Sequence, residues 1–267
     1  MFDTILVKPL FNLLAIIYAT IPGHSFGLAI ILLTILVRIL LWPLVHKQLH
    51  SQRALQKIQP EVARIRTECK GDRSKESAML MELYREKGIN PFGSLLPLII
   101  QLPIFIALYI VLKDMIQPGE IAKLTYPAVK NLAAIKTIID NGGAFNPTFL
   151  GIDLAKPSVI LAALAGLAQF FQTKMLTPNN PQGDAQAKAM ASMVYIFPGI
   201  TFLIGLSLPS ALALYWITTS LAAILQQYLI LRADVEELES NTPRIAPAEK
   251  ATPKKTKQKK STKKGSK

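Results

Sequence analysis

Long apolar stretches that alternate with charged segments organise this sequence. The first runs from Phe26 to Val45, twenty residues with a single charge at Arg38. At a helical rise of about 1.5 Å per residue, this length matches a bilayer hydrocarbon core of roughly 30 Å. Residues 189–231 carry no charge and are long enough for two spans, with a turn predicted at Gly205 and Pro209. The pattern predicts an all-α polytopic membrane protein with five spans.

The predicted segments alternate between spans and polar connections. At the N-terminus, a cleavable signal peptide is the alternative to a helix on the membrane surface, but Asp3 and the lack of a small-residue cleavage site favour the surface helix. In chain order, the prediction comprises an interfacial amphipathic helix over 1–25, a span over 26–46, a helical hairpin over 47–92, a span over 93–113, a loop over 114–156, a span over 157–174, a loop over 175–188, spans over 189–206 and 210–231, and a basic disordered tail over 232–267.

The segment after the first span has the pattern of two short helices outside the membrane. Apolar residues recur three and four positions apart in two groups: Leu55, Ile58, Val62 and Ile65, then Met79, Leu80, Leu83 and Tyr84. Gly71 and Asp72 predict the turn between the helices, Gly88 predicts the end of the second, and Pro60 predicts a kink or a helix restart. Two helices with one apolar stripe each favour an antiparallel hairpin.

Positive charge predicts the orientation. The net charge is +13, and ten Lys and Arg residues lie within residues 47–87 and eleven in the tail from Arg232, whereas the turn between the last two spans has none. Since Lys and Arg concentrate on the cytoplasmic side, the N-terminus is predicted outside, and the hairpin, the 175–188 loop and the tail inside. The nine lysines within residues 250–267, without an acidic residue, predict a disordered segment that binds anionic lipid or nucleic acid.

Composition excludes several classes of function. Hydrophobic residues make up 51% of the chain and charged residues 18%, which is typical of a membrane protein rather than a soluble one. Cys69 is the single cysteine, so an intramolecular disulfide is excluded. The sequence shows no metal-ligand, phosphate-loop or nucleophile motif, and we therefore expect neither an enzyme nor a bound cofactor.

Arg38 is the residue that most needs an explanation. A charge at that depth costs on the order of 2.5–3.5 kcal/mol on insertion scales, so Arg38 either bends toward the membrane surface near Lys47 or faces a polar cavity. The predicted spans contain no Asp or Glu that could pair with it. They do contain uncharged polar residues that could line a wet cavity, namely Thr34, Gln101, Gln169, Gln172, Thr173, Tyr215, Thr218, Thr219, Gln226 and Gln227. An unpaired cation there predicts an anionic visitor, either a small anion or an acidic protein segment.

Several motifs carry a family resemblance. The segments GLAIILLTILVRILLWPL, LQKIQPEVARI, LYREKGINPFGSLLPLIIQLPIFIALY, FFQTKM and YIFPGITFLIGLSLPSALALYW occur in this order over roughly residues 26–232. Together they resemble the YidC/Oxa/Alb family of membrane protein insertases. The resemblance implies five transmembrane helices around a hydrophilic groove, with a cytoplasmic helical hairpin. The sequence differs from some bacterial members of the family, because it contains neither their large external domain nor a lipid-attachment cysteine near the N-terminus.

The resemblance also implies a function and its residues. The family inserts and helps fold nascent membrane proteins in the plasma (inner) membrane, with or without the Sec translocon, and it uses no cofactor. The groove positions fall on Arg38, Gln101 and Trp216, with a third-span position at Gln169 or Gln172; Thr34, one turn before Arg38, joins them. Ribosome binding through rRNA, alongside contact with membrane lipids, falls on the tail lysines Lys254, Lys255, Lys257, Lys259, Lys260, Lys263 and Lys264.

Two other functions fit parts of the pattern. A small-anion transporter would also need a buried cation, although five spans without an internal repeat do not divide into the two halves typical of transporters. A membrane-anchored ribosome receptor would use the tail and leave Arg38 unexplained. Substitution of Arg38 by alanine distinguishes these functions, because a receptor does not depend on that charge.

Overall fold

The computed structural model describes residues 2–69, 71–90, 96–177 and 185–241. Residues 1–230 form one unit, and the chain from residue 231 forms a second, described only over its helical residues 231–241. The described residues form a π-helical turn at Asp3–Val7 and the helices α1 (Lys8–Thr20), α2 (Phe26–Leu40), α3 (Trp42–Lys57), α4 (Gln59–Cys69), α5 (Arg73–Glu86), α6 (Leu96–Met115), α7 (Ile121–Leu124), α8 (Pro127–Lys130), α9 (Ala133–Asp140), α10 (Val159–Leu176), α11 (Ala185–Gly205) and α12 (Ser210–Asn241). A small antiparallel sheet pairs β1 (Thr148–Phe149) with β2 (Ile152–Asp153).

The first apolar stretch is bent rather than straight. α2 ends at Leu40, and α3 leaves it at an angle of 65° from Trp42 onward. Pro43 accounts for the bend, because proline has no N–H for the preceding turn and its ring clashes with the carbonyl four residues earlier. The pattern predicted a single helix over 26–46, whereas the structure divides this segment between two helices.

The N-terminal segment forms a long apolar helix. The helical residues Asp3–Thr20 are long and apolar enough, by length and composition, to cross a membrane. Phe11, Leu14 and Ala15 are fully buried within the protein and share one core with α2, α6 and α12. Ile5 and Ile16 are 63% and 39% exposed, so the other side of the segment is open and an interfacial helix over 1–25 stays a prediction. The helix ends at Thr20, and Gly23 follows with a φ of +78°.

Length and composition alone do not establish five spans. Within the described residues, Asp3–Thr20 meets that test by itself, and the bent pair of α2 and α3 meets it if counted as one span. Val159–Met175 and Ser192–Gly205 are shorter apolar helices. The turn predicted at Gly205 and Pro209 is confirmed, since α11 ends at Gly205 and α12 begins at Ser210. The number of spans stays a prediction.

Several apolar helices of the main unit expose large apolar side chains, as expected where lipid is the solvent. On α2, the exposed side chains are Leu28, Leu32, Ile35, Leu36, Ile39 and Leu40, and the exposure rises to 62% and 74% at the last two. α10 and α11 pack closely because Gly166 has no side chain and leaves its backbone open to Pro198 and Phe202. Small residues allow such close approach between helices in membranes.

The predicted hairpin forms from α4 and α5. Its small core consists of Ile58, Val62 and Leu83, and residues from both predicted stripes, Leu55, Ile65, Leu80 and Tyr84, pack around it. The turn uses Gly71 at a φ of +93°, and Asp72 caps α5 by accepting hydrogen bonds from the amides of Ser74 and Lys75. Ion pairs of 3.2 Å between Arg66 and Glu76 and 3.0 Å between Lys87 and Glu61 join the helices.

The 114–156 loop folds onto the N-terminal helix and the start of α2. Asn12 is buried in α1, and its side-chain amide donates 3.0 Å to the Leu124 carbonyl while its oxygen accepts 2.6 Å from the Tyr126 amide. The Phe145 ring packs edge-on against Tyr18. Gly27 leaves room for the Phe149 ring, which a methyl group at that position would overlap. α9 lies within this predicted loop, and its Ile135 is fully buried.

Candidate functional site

Arg38 lies on the inner face of α2. It is partly buried and shares a helix face with Thr34, which is buried, whereas the next residue, Ile39, is 62% exposed on the outer face. The Thr34 hydroxyl donates 2.7 Å to the carbonyl of Ile30 in its own helix. Thr34 therefore has its own partner, and the guanidinium group of Arg38 points away from the exposed apolar stripe.

The charge of Arg38 has an uncharged neighbour rather than an acidic one. Its guanidinium interacts electrostatically with the hydroxyl of Tyr215 on α12. Arg38 forms no ion pair with any carboxylate in the part of the chain that the structure describes. An arginine has five donors and no acceptor, so acceptors for it have to come from uncharged groups, water or a bound molecule.

Gln101 of α6 meets the same tyrosine. Its side-chain amide donates a short hydrogen bond of 2.6 Å to the hydroxyl of Tyr215, which is 4% exposed. Tyr215 is thus hydrogen-bonded to the predicted groove residue Gln101 and lies near Arg38. Tyr215 is one of the uncharged polar residues of the predicted spans, but the family motifs do not assign it to the groove.

α12 also reaches the backbone of the first span. The side-chain amide of Gln226 donates 3.1 Å to the main-chain carbonyl of Arg38, and Gln226 is 4% exposed. Arg38 lies in the last turn of α2, where carbonyl groups lose their intrahelical donors. Gln226 is also one of the uncharged polar residues of the predicted spans, but the family motifs do not assign it to the groove. The feature of the sequence that points to Gln226 is an amide side chain within an apolar stretch.

The predicted third-span glutamines face α12 in different ways. The oxygen of Gln169 accepts 3.3 Å from the hydroxyl of Ser220, which is fully buried, and its amide lies 3.4 Å from the Thr173 hydroxyl. Gln169 therefore joins α10 to α12. The side-chain oxygen of Gln172 is buried and accepts no hydrogen bond within the described residues.

Two amide oxygens of α12 share this unpartnered state with Gln172. The side-chain oxygens of Gln172, Gln226 and Gln227 are buried, and within the described residues they accept no hydrogen bond. A buried acceptor without a donor costs about 1–3 kcal/mol, so water or a bound molecule is expected to supply one. These oxygens can accept N–H or O–H donors, and the side chain of Gln226 also contacts the backbone of Arg38.

Trp216 follows Tyr215 on α12 and also contacts α6. Its ring stacks on Phe105 of α6, with centroids 5.0 Å apart and an angle of 19° between the planes. Trp216 packs against the main core as a partly buried residue. The structure thus places it between α6 and α12 as a packing contact, and no hydrogen bond joins it to another described residue.

The predicted tail site lies elsewhere. α12 continues to Asn241, so the first ten residues of the predicted tail, 232–241, are helical rather than disordered. The predicted ribosome-binding residues Lys254, Lys255, Lys257, Lys259, Lys260, Lys263 and Lys264 lie outside the described residues.

Comparison with known proteins identifies close relatives. The family model described as "60Kd inner membrane protein" matches residues 16–237. The chain is 36% identical over 210 residues to "Membrane protein insertase YidC" of Fusobacterium nucleatum, covering 78% of this chain and 87% of the relative. It is 32% identical over 241 residues to "Membrane protein insertase MisCA" of Bacillus subtilis, covering 88% and 81%. A YidC insertase of Syntrophobacter fumaroxidans is 34% identical over 86% of this chain, but the match spans 38% of that longer relative.

These matches cover the bent first span, the hairpin and the helices that carry Gln101, Gln169 and Tyr215. They confirm the resemblance predicted from the motifs. The chain therefore belongs to the 60Kd inner membrane protein family, which includes the YidC and MisCA insertases.

Proposed function

We propose that this protein is a membrane protein insertase and chaperone, which moves nascent membrane proteins into the bilayer and helps them fold without breaking or forming a covalent bond. The observation that carries the proposal is Arg38, a partly buried cation on the inner face of α2 that no described carboxylate neutralises. The relatives named as insertases support it.

The proposed mechanism is electrostatic. A client's hydrophilic, often acidic, N-terminal segment enters from the cytoplasm, and its carboxylates approach Arg38. Two unit charges about 4 Å apart interact by about 1 kcal/mol in water and about 4 kcal/mol at an effective dielectric of 20, so a partly buried cation stabilises the segment more than a surface cation does. The client's apolar span then leaves sideways into lipid.

The buried amide oxygens without a partner supply the second part of the proposed mechanism. An extended client segment carries backbone N–H groups that lose water as it enters the membrane. The buried oxygens of Gln172, Gln226 and Gln227 lack donors within the described residues and can accept from these groups or from water. The groove thereby lowers the cost of carrying polar groups through an apolar layer.

We also propose an orientation in the membrane and a set of partners for this protein. The Lys and Arg distribution supports an inner-membrane protein with its N-terminus outside and the hairpin inside. The hairpin receives the client on the cytoplasmic side, the basic tail holds the ribosome through rRNA phosphates, and the Sec translocon is a further partner for some clients.

The test is insertion in a defined system. Purified full-length protein is placed in vesicles with a short single-span client whose N-terminal segment is acidic, and protection of that segment from added protease is measured. We expect Arg38→Ala to lose most of the activity. Ile39→Ala, at the next position but on the exposed face, is the matched control and should keep it.

Two outcomes would contradict the proposal. Insertion that proceeds equally with Arg38→Ala, while the control variant and the wild type reach the same level, would remove the charge from the mechanism. Anion flux through the vesicles without insertion of the client would favour the small-anion transporter instead.

A further inference from the structure

Two histidines pair on one face of α3, outside the groove. His46 and His50 are one helical turn apart, both are exposed, and their Nε2 atoms lie 3.3 Å apart. Their ring centroids are 4.4 Å apart, with 58° between the planes. Neither histidine belongs to the family motifs or to the candidate groove residues.

The distance between the two nitrogens suits a shared metal ion. Zn–N bonds of about 2.0–2.1 Å at a tetrahedral angle place two ligand nitrogens about 3.3 Å apart. Two histidines at positions i and i+4 on a helix are also the spacing through which known zinc helices hold their metal. Neutral imidazole suits zinc, copper and nickel, whereas magnesium and calcium prefer oxygen ligands.

The same distance also fits a hydrogen bond in which one ring donates its Nε2–H and the other accepts. That arrangement and a shared metal ion compete, because a metal needs both Nε2 atoms without a proton. Within the described residues, no group of three or more His, Cys, Asp or Glu side chains could hold a metal. A metal on this pair therefore keeps positions for water or another ligand.

We propose that His46 and His50 chelate one divalent late transition-metal ion through their Nε2 atoms. The pair lies in the first part of α3, immediately after the 65° bend that follows Arg38. A metal that joins residues 46 and 50 fixes one turn of helix at this point. Metal binding is thus expected to stabilise the start of α3 where the chain leaves the first span.

The experiment uses Zn²⁺ as the probe and full-length protein without an affinity tag, in vesicles of zwitterionic lipid. Titration calorimetry measures affinity and stoichiometry, and ¹⁵N NMR of labelled histidine reports which ring nitrogens bind. We expect one Zn²⁺ per chain, bound through both Nε2 atoms. His46→Gln or His50→Gln should each weaken binding by about 10²-fold, because the second ligand acts as an intramolecular one.

The chain offers two matched controls. His24→Gln removes the third histidine, whose Nδ1 lies 3.0 Å from the Tyr18 carbonyl, and should leave Zn²⁺ binding unchanged. His50→Gln combined with Gln48→His keeps three histidines but places the pair at i and i+2, on different faces of the helix. This permuted variant should bind as weakly as the single variants.

A second readout separates chelation from loss of folding. Zn²⁺ should slow amide hydrogen exchange at the start of α3 in the wild type and in His24→Gln, but not in the permuted variant. The proposal is overturned if the permuted variant binds Zn²⁺ as the wild type does, if the single variants keep wild-type affinity, or if Zn²⁺ at millimolar concentration leaves both Nε2 signals unchanged.

Discussion

The side-chain amide of Gln226 donates a hydrogen bond of 3.1 Å to the carbonyl of Arg38, across 188 positions of sequence. The contact satisfies an acceptor at the end of α2, just before Pro43 bends the chain. It holds the backbone of the candidate groove arginine against α12, independently of where its side chain reaches.

Replacement of Gln226 by leucine tests this contact. We expect Gln226→Leu to lower the free energy of unfolding by about 1–3 kcal/mol, because the Arg38 carbonyl loses its donor in a buried place. Gln227→Leu is the matched control: Gln227 is equally buried at 4%, and its side-chain oxygen has no partner within the described residues. Thermal unfolding in detergent should separate the two, with Gln227→Leu neutral or stabilising. Equal loss in both variants would refute the role of the hydrogen bond.

The charge of Arg38 gives a prediction on client choice. Arg38→Lys should keep insertion, because mobile carboxylates reached through water need a point charge rather than a bidentate fork. Arg38→Ala should slow insertion of an acidic client by roughly tenfold, equivalent to about 1.4 kcal/mol. The measurement compares two clients that differ only in their N-terminal acids. The same loss for both clients would show that the charge of Arg38 does not act on client acids.

Gly27 gives a prediction on packing. Gly27→Ala should destabilise the protein by about 1–3 kcal/mol, because the new methyl group overlaps the Phe149 ring. Gly199→Ala in α11 is the control, since a methyl group there meets no atom within 4 Å and alanine favours a helix interior by about 1 kcal/mol.

A double-mutant cycle sharpens the test. Phe149→Ala should cost less in the Gly27→Ala background than in the wild type, because it removes the overlap there. Additive effects would mean that the loop moves away from α2 without strain.

The motifs and periodicities predicted much of this architecture because helix stripes and turns depend on residues that are close in sequence. The stripes of the hairpin meet in the structure at Ile58, Val62 and Leu83, and Gly71 makes its turn. Local spacing is sufficient there, since the two helices that pack together are neighbours in sequence. The turn between α11 and α12 follows from Gly205 and Pro209 for the same reason.

Other features depended on contacts between distant residues. The bend after Leu40 has a local signal in Pro43, but the length of the apolar stretch favoured one span. The partners of Gln226, Gln101 and Asn12 lie more than a hundred positions away, and no periodicity shows which side chain an amide will reach. The motifs marked Arg38 and Gln101 through family resemblance, and the structure adds Tyr215 as the residue between them.

The basic tail gives a prediction that stands apart from the described residues. Removal of residues 250–267 should weaken ribosome co-sedimentation of detergent-solubilised protein, because counterion release from rRNA phosphates drives such binding. The slope of log affinity against log salt should become shallower by somewhat less than one unit per lost phosphate contact. A full-length variant with seven tail lysines replaced by glutamine is the control for chain length and should behave as the truncation does. An unchanged slope in both would exclude the tail as the tether.

The two hydrogen bonds that Asn12 forms with the 114–156 loop have a consequence for the time course of synthesis. Its partners, Leu124 and Tyr126, are 112 and 114 residues further along the chain. At about 5–20 residues per second, roughly 6–22 s of translation separate the first helix from these partners. During that interval, the side chain of Asn12 has only the Lys8 carbonyl of its own helix to bind. The first helix to leave the ribosome is thus completed by one of the later loops, and until then the side-chain oxygen of Asn12 lacks its Tyr126 donor.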